Sequence, residues 1–284
     1  MRATTVDQVW GRQRRWSLAA DAAKASLRKW RLAVLVFSLA GAVAGAMATY
    51  EPRLALVSMV ATGLAGWAAT HSGKSAIRES TGLRAVSEAL KAEVHTYLAK
   101  ASRYRSADRD DVLGQRAAEL TTAAGDLASR VARTEDDGRS LPAVHNAESY
   151  VDNRLTYQVN TFYRPKAHEF STVAARLRTA QIISAGLGTA FAAAVLVPGF
   201  APLSVWIGVF TTAGTALTAH AAASRSEHVA LVYERTADEL ESLRARWCGG
   251  QVGDEVVEEG ERVLAKENEA WLAQWSSPVP ETSP

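Results

Sequence analysis

The sequence predicts an all-α membrane protein: two transmembrane helical hairpins, four spans in all, each followed by a long cytoplasmic helix. Three features carry this expectation. No Lys, Arg, Asp or Glu lies between Arg31 and Glu51, between Arg53 and Lys74, or between Arg178 and Arg225. Proline-bearing turns punctuate these runs. Beyond each pair of runs lies a long proline-free stretch with helical apolar spacing. An uncharged apolar run of roughly 20 residues crosses a hydrocarbon core of about 30 Å as a helix, so the first two runs fit one crossing each and the third fits two. In lipid every backbone N–H and C=O must be satisfied internally, which makes crossings this short helical. The 284 residues carry a formal net charge of only +2, and a mean hydropathy near zero hides the segregation.

Taken in order, residues 5–31 read as a basic amphipathic pre-helix. Arg12, Arg14, Arg15, Lys24, Arg28, Lys29 and Arg31 stand on it, with Trp10, Trp16, Leu18, Leu27 and Trp30 on the apolar side. Such a helix suits the headgroup level of a bilayer; a solvated helix leading into a span is the plainer reading. The first span, Leu32 to Tyr50, has eight Ala or Gly and eight large apolar residues among its 19, so its insertion is favourable by only a few kcal/mol. Glu51-Pro52-Arg53 makes the turn and Leu54 to about His71 returns. The second hairpin runs from about Thr179 to Val197, turns through Pro198-Gly199-Phe200-Ala201-Pro202, and returns from Leu203 to about Ala223. Proline cannot continue a helix interior, and the glycine beside it supplies the turn.

Basic residues set the orientation. The two hairpin loops together hold one, Arg53, while Lys74, Arg78, Arg176, Arg178, Arg225 and the N-terminal set lie on the other side. The positive-inside rule then makes the loops external and both termini cytoplasmic. Tyr50, Phe200 and Trp206 fall near the outer ends, where aromatic belts are expected.

The returning spans are expected to continue as long helices. Leu83, Val86, Leu90, Val94, Tyr97 and Ala101 step by 3 or 4, and Val229, Val232, Thr236, Leu240, Leu243 and Trp247 repeat those steps 146 positions later. This spacing places a narrow apolar seam on one helix face. Glu88 and Glu93 meet Glu234 and Glu239 at the same shift, which reads as an internal duplication. The first unit, 1–140, holds a basic pre-helix, spans at about 32–50 and 54–71 and a cytoplasmic helix at about 74–133. The second, 141–284, holds a pre-helix at about 147–178, spans at about 179–197 and 203–223, a cytoplasmic helix at about 224–247 and an acidic C-terminal helix at about 254–275. The Thr134–Gly138 cluster followed by Pro142 is the linker between them.

Chemistry-bearing patterns are sparse. Cys248 is the single cysteine, which points to a reducing compartment and offers no metal-site spacing. The charged stretch before the first apolar run does not read as a cleaved leader. The six histidines have no partners at ligand spacing, and no phosphate loop, nucleophile elbow or zinc-binding helix occurs. No catalytic, cofactor-binding or metal site is therefore expected, nor an enzyme, and the mixed charge argues against a nucleic-acid partner. His71 and His220 lie near the inner ends of the returning spans, as interfacial polar residues or as proton sensors.

Small residues offer the candidate site. Ser204, Gly208, Thr211, Thr215, Thr218 and Ala222 form a stripe on the fourth span, Ser58, Thr62 and Ala65 a shorter one on the second, and Gly41 and Gly45 a GxxxG pair on the first. Small faces let membrane helices approach closely, either within one chain or between copies, and a Thr face can line a wet pathway in an oligomer. The spans carry no charge, which disfavours a charge-lined channel or a proton-coupled transporter.

Gln13-Arg14-Arg15-Trp16-Ser17 with Ala20, Lys24 and Arg31, then Ser87-Glu88-Ala89-Leu90-Lys91-Ala92-Glu93-Val94, resembles one branch of the bacterial SLATT family. Tyr150-Val151 through Arg154 and Gln158 to Tyr163-Arg164-Pro165-Lys166-Ala167, with Glu267-Asn268-Glu269-Ala270-Trp271-Leu272, resembles another branch. The resemblance implies two such domains (SMODS- and SLOG-associating two-transmembrane effector domains) in tandem, where the simplest pattern has one. It further implies a multi-pass protein of the bacterial inner membrane. Its role would be an effector that oligomerises to form a pore or perturb the bilayer in a nucleotide-signalled or antiphage conflict system. No nucleotide synthase or nucleotide-sensing domain is recognisable in the sequence, so a separate trigger protein is expected. The Tyr163–Ala167 motif has a physical reading too: Pro165 suits a helix start, and Arg164 and Lys166 are candidates to hold lipid phosphates or an acidic partner. The rival expectation is a non-conducting scaffold that recruits soluble partners through its cytoplasmic helices.

Overall fold

The computed structural model describes residues 4–276, with side chains to residue 267. Helix α1 runs without interruption over Thr5–Met47. Asp7 folds back on its start, accepting from Thr4 N at 3.0 Å and Thr4 Oγ1 at 2.6 Å. A turn through Pro52 leads to α2 (Leu54–His71), and a two-residue break at Ser72-Gly73 separates it from α3 (Lys74–Leu98). A 3₁₀ turn at Ser102–Arg105, α4 (Arg109–Thr122) and the short α5 (Ala128–Val131) follow. Asn146 and Ser149 then form a capping box that starts α6 (Ala147–Tyr150). The chain continues through two π-helical turns, Val151–Thr156 and Val159–Tyr163, into α7 (Arg164–Ala194). Gly199, at φ +94°, makes the turn beside Pro198 that no L side chain would favour. Helix α8 (Ser204–Ser224) ends at Arg225, a non-glycine residue in the left-handed region at φ 48°, and α9 (Ser226–Cys248) and α10 (Val256–Ser276) complete the order.

Two compact units result. A hairpin unit takes Ala25–Lys74 and His168–Ala230, and a bundle unit takes the described parts of Met1–Lys24, Ser75–Ala167 and Leu231–Pro284. Both units therefore draw on both sequence halves, and the expected boundary near residue 140 is not a boundary in space.

In the hairpin unit, α1 and α2 pack closely through small residues. Ser58 Oγ donates to the Gly41 carbonyl at 2.8 Å. A Cβ added at Gly41 would lie 3.0 Å from Thr62 Oγ1, and one at Gly45 3.1 Å from Ser58 Oγ. The pairing of α7 with α8 uses Ser184 Oγ, which donates to the Phe210 carbonyl at 2.8 Å, and the Phe191 and Phe210 rings, 5.1 Å apart. Tyr50 Oη donates to the Pro202 carbonyl at 3.4 Å, linking the two turns. Among the described residues, all exposed large apolar residues except Tyr157 and Leu231 lie in this unit, Leu56, Met59, Ile182 and Leu196 among them. Exposed large apolar residues concentrated in one unit suit a membrane or partner contact. Among the described residues three helical stretches, within Thr5–Met47, Leu54–Arg105 and Ala201–Cys248, are long and apolar enough to cross a membrane. Helix α7, which ends at Ala194 short of Val195-Leu196-Val197, is not one of them.

In the bundle unit, Val6, Val9, Trp16 and Ala20 of α1 pack with Leu83, Leu90, Val94 and Tyr97 of α3 and with Leu113 and Ala117 of α4. A fully buried Leu or Val contributes about 1.5–3 kcal/mol through the area it removes from water. Tyr150, Leu155 and Tyr163, Tyr233, Leu240 and Leu243 of α9, and Val256 and Val257 of α10 are equally buried. Tyr233 stacks edge-on with Tyr163 at 5.6 Å.

This packing corrects two expectations. The apolar face of residues 5–24 is covered by protein and does not lie at a headgroup surface; Arg14 pairs with Asp136 and Trp10 Nε1 donates to the Ser140 carbonyl at 3.0 Å. The cytoplasmic helix expected at 74–133 is divided, because Lys100 and Ser102 adopt positive φ and turn the chain back so that Tyr104 Oη reaches Glu93 at 2.5 Å. Most of both seams is buried inside this chain.

Candidate functional site

The bundle unit holds a cavity of about 200 Å³ walled by α3, the π-helical segment and α10. Spacing explains how each wall is built. Arg84, Glu88 and Lys91 occur at i, i+4 and i+7 on α3 and share a face, about a quarter turn from the Leu83–Leu90–Val94 seam. Arg154, Gln158 and Phe162 are four apart, and the wide i→i+5 turns of the π-helical segment bring such residues towards one line. Glu261, Leu264, Ala265 and Glu267 come from α10.

Arg154 Nε and Nη2 donate to the two oxygens of Glu261 at 3.0 and 3.2 Å, and Tyr150 Oη donates to Glu261 Oε1 at 3.1 Å. Lys91 Nζ reaches both oxygens of Glu88 at 3.1 and 3.2 Å. Burial by itself would raise the Glu88 carboxyl, but Lys91, Arg84 and Arg154 outweigh it and hold the group at about 2. Glu261 is likewise lowered, burial being overcome by Arg154. Glu267 goes the other way: burial raises it, Glu88 adds to the rise, and Arg84 only partly opposes. His95 lies buried nearby, its Nδ1 2.8 Å from the Lys91 carbonyl; burial and then Arg154 depress it to about 3, so it is neutral. Three cations thus face three carboxylates, and only Glu267 is left under-stabilised as an anion. Its Oε1 is buried and accepts no hydrogen bond among the described residues.

The residues expected from the sequence lie elsewhere. Gly41 and Gly45 are consumed inside the first hairpin. Ser204, Gly208, Thr211, Thr215 and Thr218 are exposed, and a Cβ on Gly208 would meet nothing within 4 Å. The three threonine hydroxyls donate to their own helix, to Ile207, Thr211 and Gly214 at 2.9, 3.0 and 2.9 Å; only Thr218 also accepts across the hairpin, from Gln181 at 3.3 Å. Packing within the chain therefore does not account for the stripe. Arg164 is corrected as a headgroup contact: it pairs with Glu234, Asp238 and Glu241 of α9 at 2.6, 2.7 and 2.8 Å. Lys166 is half-buried. The His71 ring lies 4.7 Å from both Trp30 and Trp67, an aromatic packing role.

Sequence reasoning did not mark the cavity as a site. Yet Glu88, Lys91, Arg154, Gln158, Tyr163 and Glu267 all belong to the short motifs quoted above. Charged residues sharing a helix face beside an apolar seam are the available signal.

Residues 150–271 match the family model described as SLATT_1, SMODS and SLOG-associating 2TM effector domain 1. The matched stretch opens at Tyr150 and contains Arg154, Glu261 and Glu267, and it supports the SLATT family for this part of the chain. No curated protein and no solved structure matches the sequence significantly.

Proposed function

We propose that this protein is a bacterial membrane effector that oligomerises and forms a pore or perturbs the bilayer in a nucleotide-signalled or antiphage conflict system. The observation that carries this reading is the match of residues 150–271 to a two-transmembrane effector domain model, on a chain whose hairpin unit exposes many large apolar residues. Four spans with cytoplasmic termini fit the charge-free runs and the positive-inside rule, with α7 inserted as the partner of α8. The recurrence of pre-helix, hairpin and seam helix is consistent with two tandem units. Copies meet through the Ser204–Thr218 face, the small-residue surface that hairpin packing leaves open. A separate protein or ligand supplies the trigger, and it acts only by favouring the open arrangement over the closed one.

Induced expression in bacteria, followed with a potential-sensitive dye and with any partner genes supplied, tests the reading. Depolarisation that Thr211→Leu with Thr215→Leu abolishes supports it; an unchanged potential counts against it. A non-conducting scaffold is the second reading, favoured by the charged cytoplasmic helices. In that case the double variant leaves capture of soluble partners intact and no depolarisation occurs in either form.

A further inference from the structure

The bundle cavity carries an inference that goes beyond the effector reading and does not depend on it. Glu267 is 7% exposed, and its Oε1 is buried without a hydrogen-bond donor, while Tyr163 donates to the same carboxylate. A buried acceptor left unmade costs about 1–3 kcal/mol, and more when it is charged, so this oxygen calls for a donor. The walls are electrically balanced, Arg84, Lys91 and Arg154 against Glu88, Glu261 and Glu267. A ligand with a large net charge would upset that balance, whereas one that is neutral overall would not. Phe162, Leu264 and Ala265 add apolar surface beside the charged groups. Lys91, its side chain 23% exposed against 4% for Arg154, retains a donor beyond its contact with Glu88. The volume of about 200 Å³ lies below the roughly 300–1,000 Å³ of pockets that take drug-sized ligands, so the occupant is smaller.

We propose that this cavity binds a small zwitterion of the apolar amino-acid class, its ammonium donating to Glu267 Oε1, its carboxylate held by Lys91 and the Gln158 amide, and its apolar body against Phe162 and Leu264. The ammonium supplies the missing donor, and the zwitterion leaves the charge of the walls unchanged.

Isothermal titration of the full chain in detergent tests this directly, with L-leucine and L-phenylalanine as probes. Isoamylamine and phenethylamine serve as amine-only controls, isocaproate and phenylpropionate as carboxylate-only controls. The expected result is binding of at least one of the two amino acids, no binding of the carboxylates, and a loss of about tenfold or more in Glu267→Gln. Ala265→Leu, which fills the cavity from an exposed helical position, abolishes binding while the melting temperature is retained, and it decides the matter if Glu267→Gln does not fold. The proposal is overturned if neither amino acid binds, if the carboxylates bind as tightly as the amino acids, or if a folded Glu267→Gln or Ala265→Leu protein binds like the parent.

Discussion

Arg154 and Glu261, 107 residues apart, form a two-pronged ion pair inside the bundle unit, with side chains only 4% and 10% exposed. It ties α10 to the π-helical segment, and Tyr150 completes it from one turn earlier. Charges this deep are costly to desolvate, and removing one partner leaves the other buried alone. Glu261→Ala is therefore expected to destabilise the bundle by about 3–5 kcal/mol. The combined variant Tyr150→Phe, Arg154→Met, Glu261→Leu should recover most of that loss, since a well-packed apolar replacement is often neutral. Denaturant titration in detergent, read by circular dichroism, checks both; a Glu261→Ala protein as stable as the parent would sink the account.

Gly260 allows the approach of α10. A Cβ there would lie 2.6 Å from Tyr150 Oη and 2.9 Å from Leu155 Cδ2, both on buried side chains. Gly260→Ala is expected to cost about 1–3 kcal/mol through overpacking, despite the better helix propensity of alanine. Gly114→Ala is the control: its Cβ meets only Thr5 Cγ2, at 3.9 Å, and it should be neutral or stabilising. Melting temperatures of the two variants should fall on opposite sides of the parent or differ by several degrees.

The hairpins should respond unequally to bulk. Gly41→Leu pushes against Thr62 and Ala61 inside the first hairpin and should lower stability by about 1–3 kcal/mol. Gly208→Leu adds its side chain to an open face, so stability should be unchanged while any association through that face is reduced. Melting in detergent together with size determination by light scattering separates the two outcomes.

Acid should weaken the bundle from near neutrality. His95 is depressed from 6.5 to about 3, so its neutral form is the one the fold favours. That stability is fully present above the unfolded value and is lost as the pH falls from about 6.5 towards 3. Arg154, Glu261 and Lys91 face the ring, and of these Glu261 opposes the shift. Between pH 6.5 and 5 the loss is about 2 kcal/mol at most, from 1.36 kcal/mol per pH unit. Glu88 adds a second loss between about 4.5 and 2. A stability–pH profile of His95→Gln should lack the first limb and keep the second; an unchanged first limb would rule His95 out as its source.

Much of the architecture was readable before any coordinates. The uncharged runs ending at Glu51, Lys74 and Arg225 became the faces and ends of the helical hairpins. The seam residues Leu83, Leu90, Val94 and Tyr97, and later Thr236, Leu240 and Leu243, are buried as their spacing required. Periodicity identifies a buried face because one helix alone produces the repeat. It does not identify what covers that face: residues 5–31 read as a helix at the headgroup level, whereas the apolar face of 5–24 is covered by α3 and α4. Nor does it separate a solvated charge from a buried one. Glu88 and Arg154 have ordinary surface-like spacing, and only the arrival of α10 makes them interior.

The sequence by itself determined that this chain is helical, that its apolar runs come in pairs, and where its turns fall, because charge exclusion, proline and glycine act locally along the backbone. Tertiary structure alone decided that the Gly41–Gly45 pair closes a hairpin while the Ser204–Thr218 stripe stays open, and that six charged residues from three distant segments surround one cavity. Those outcomes depend on which helix faces meet, and the free energy of such meetings is shared between segments far apart in the chain.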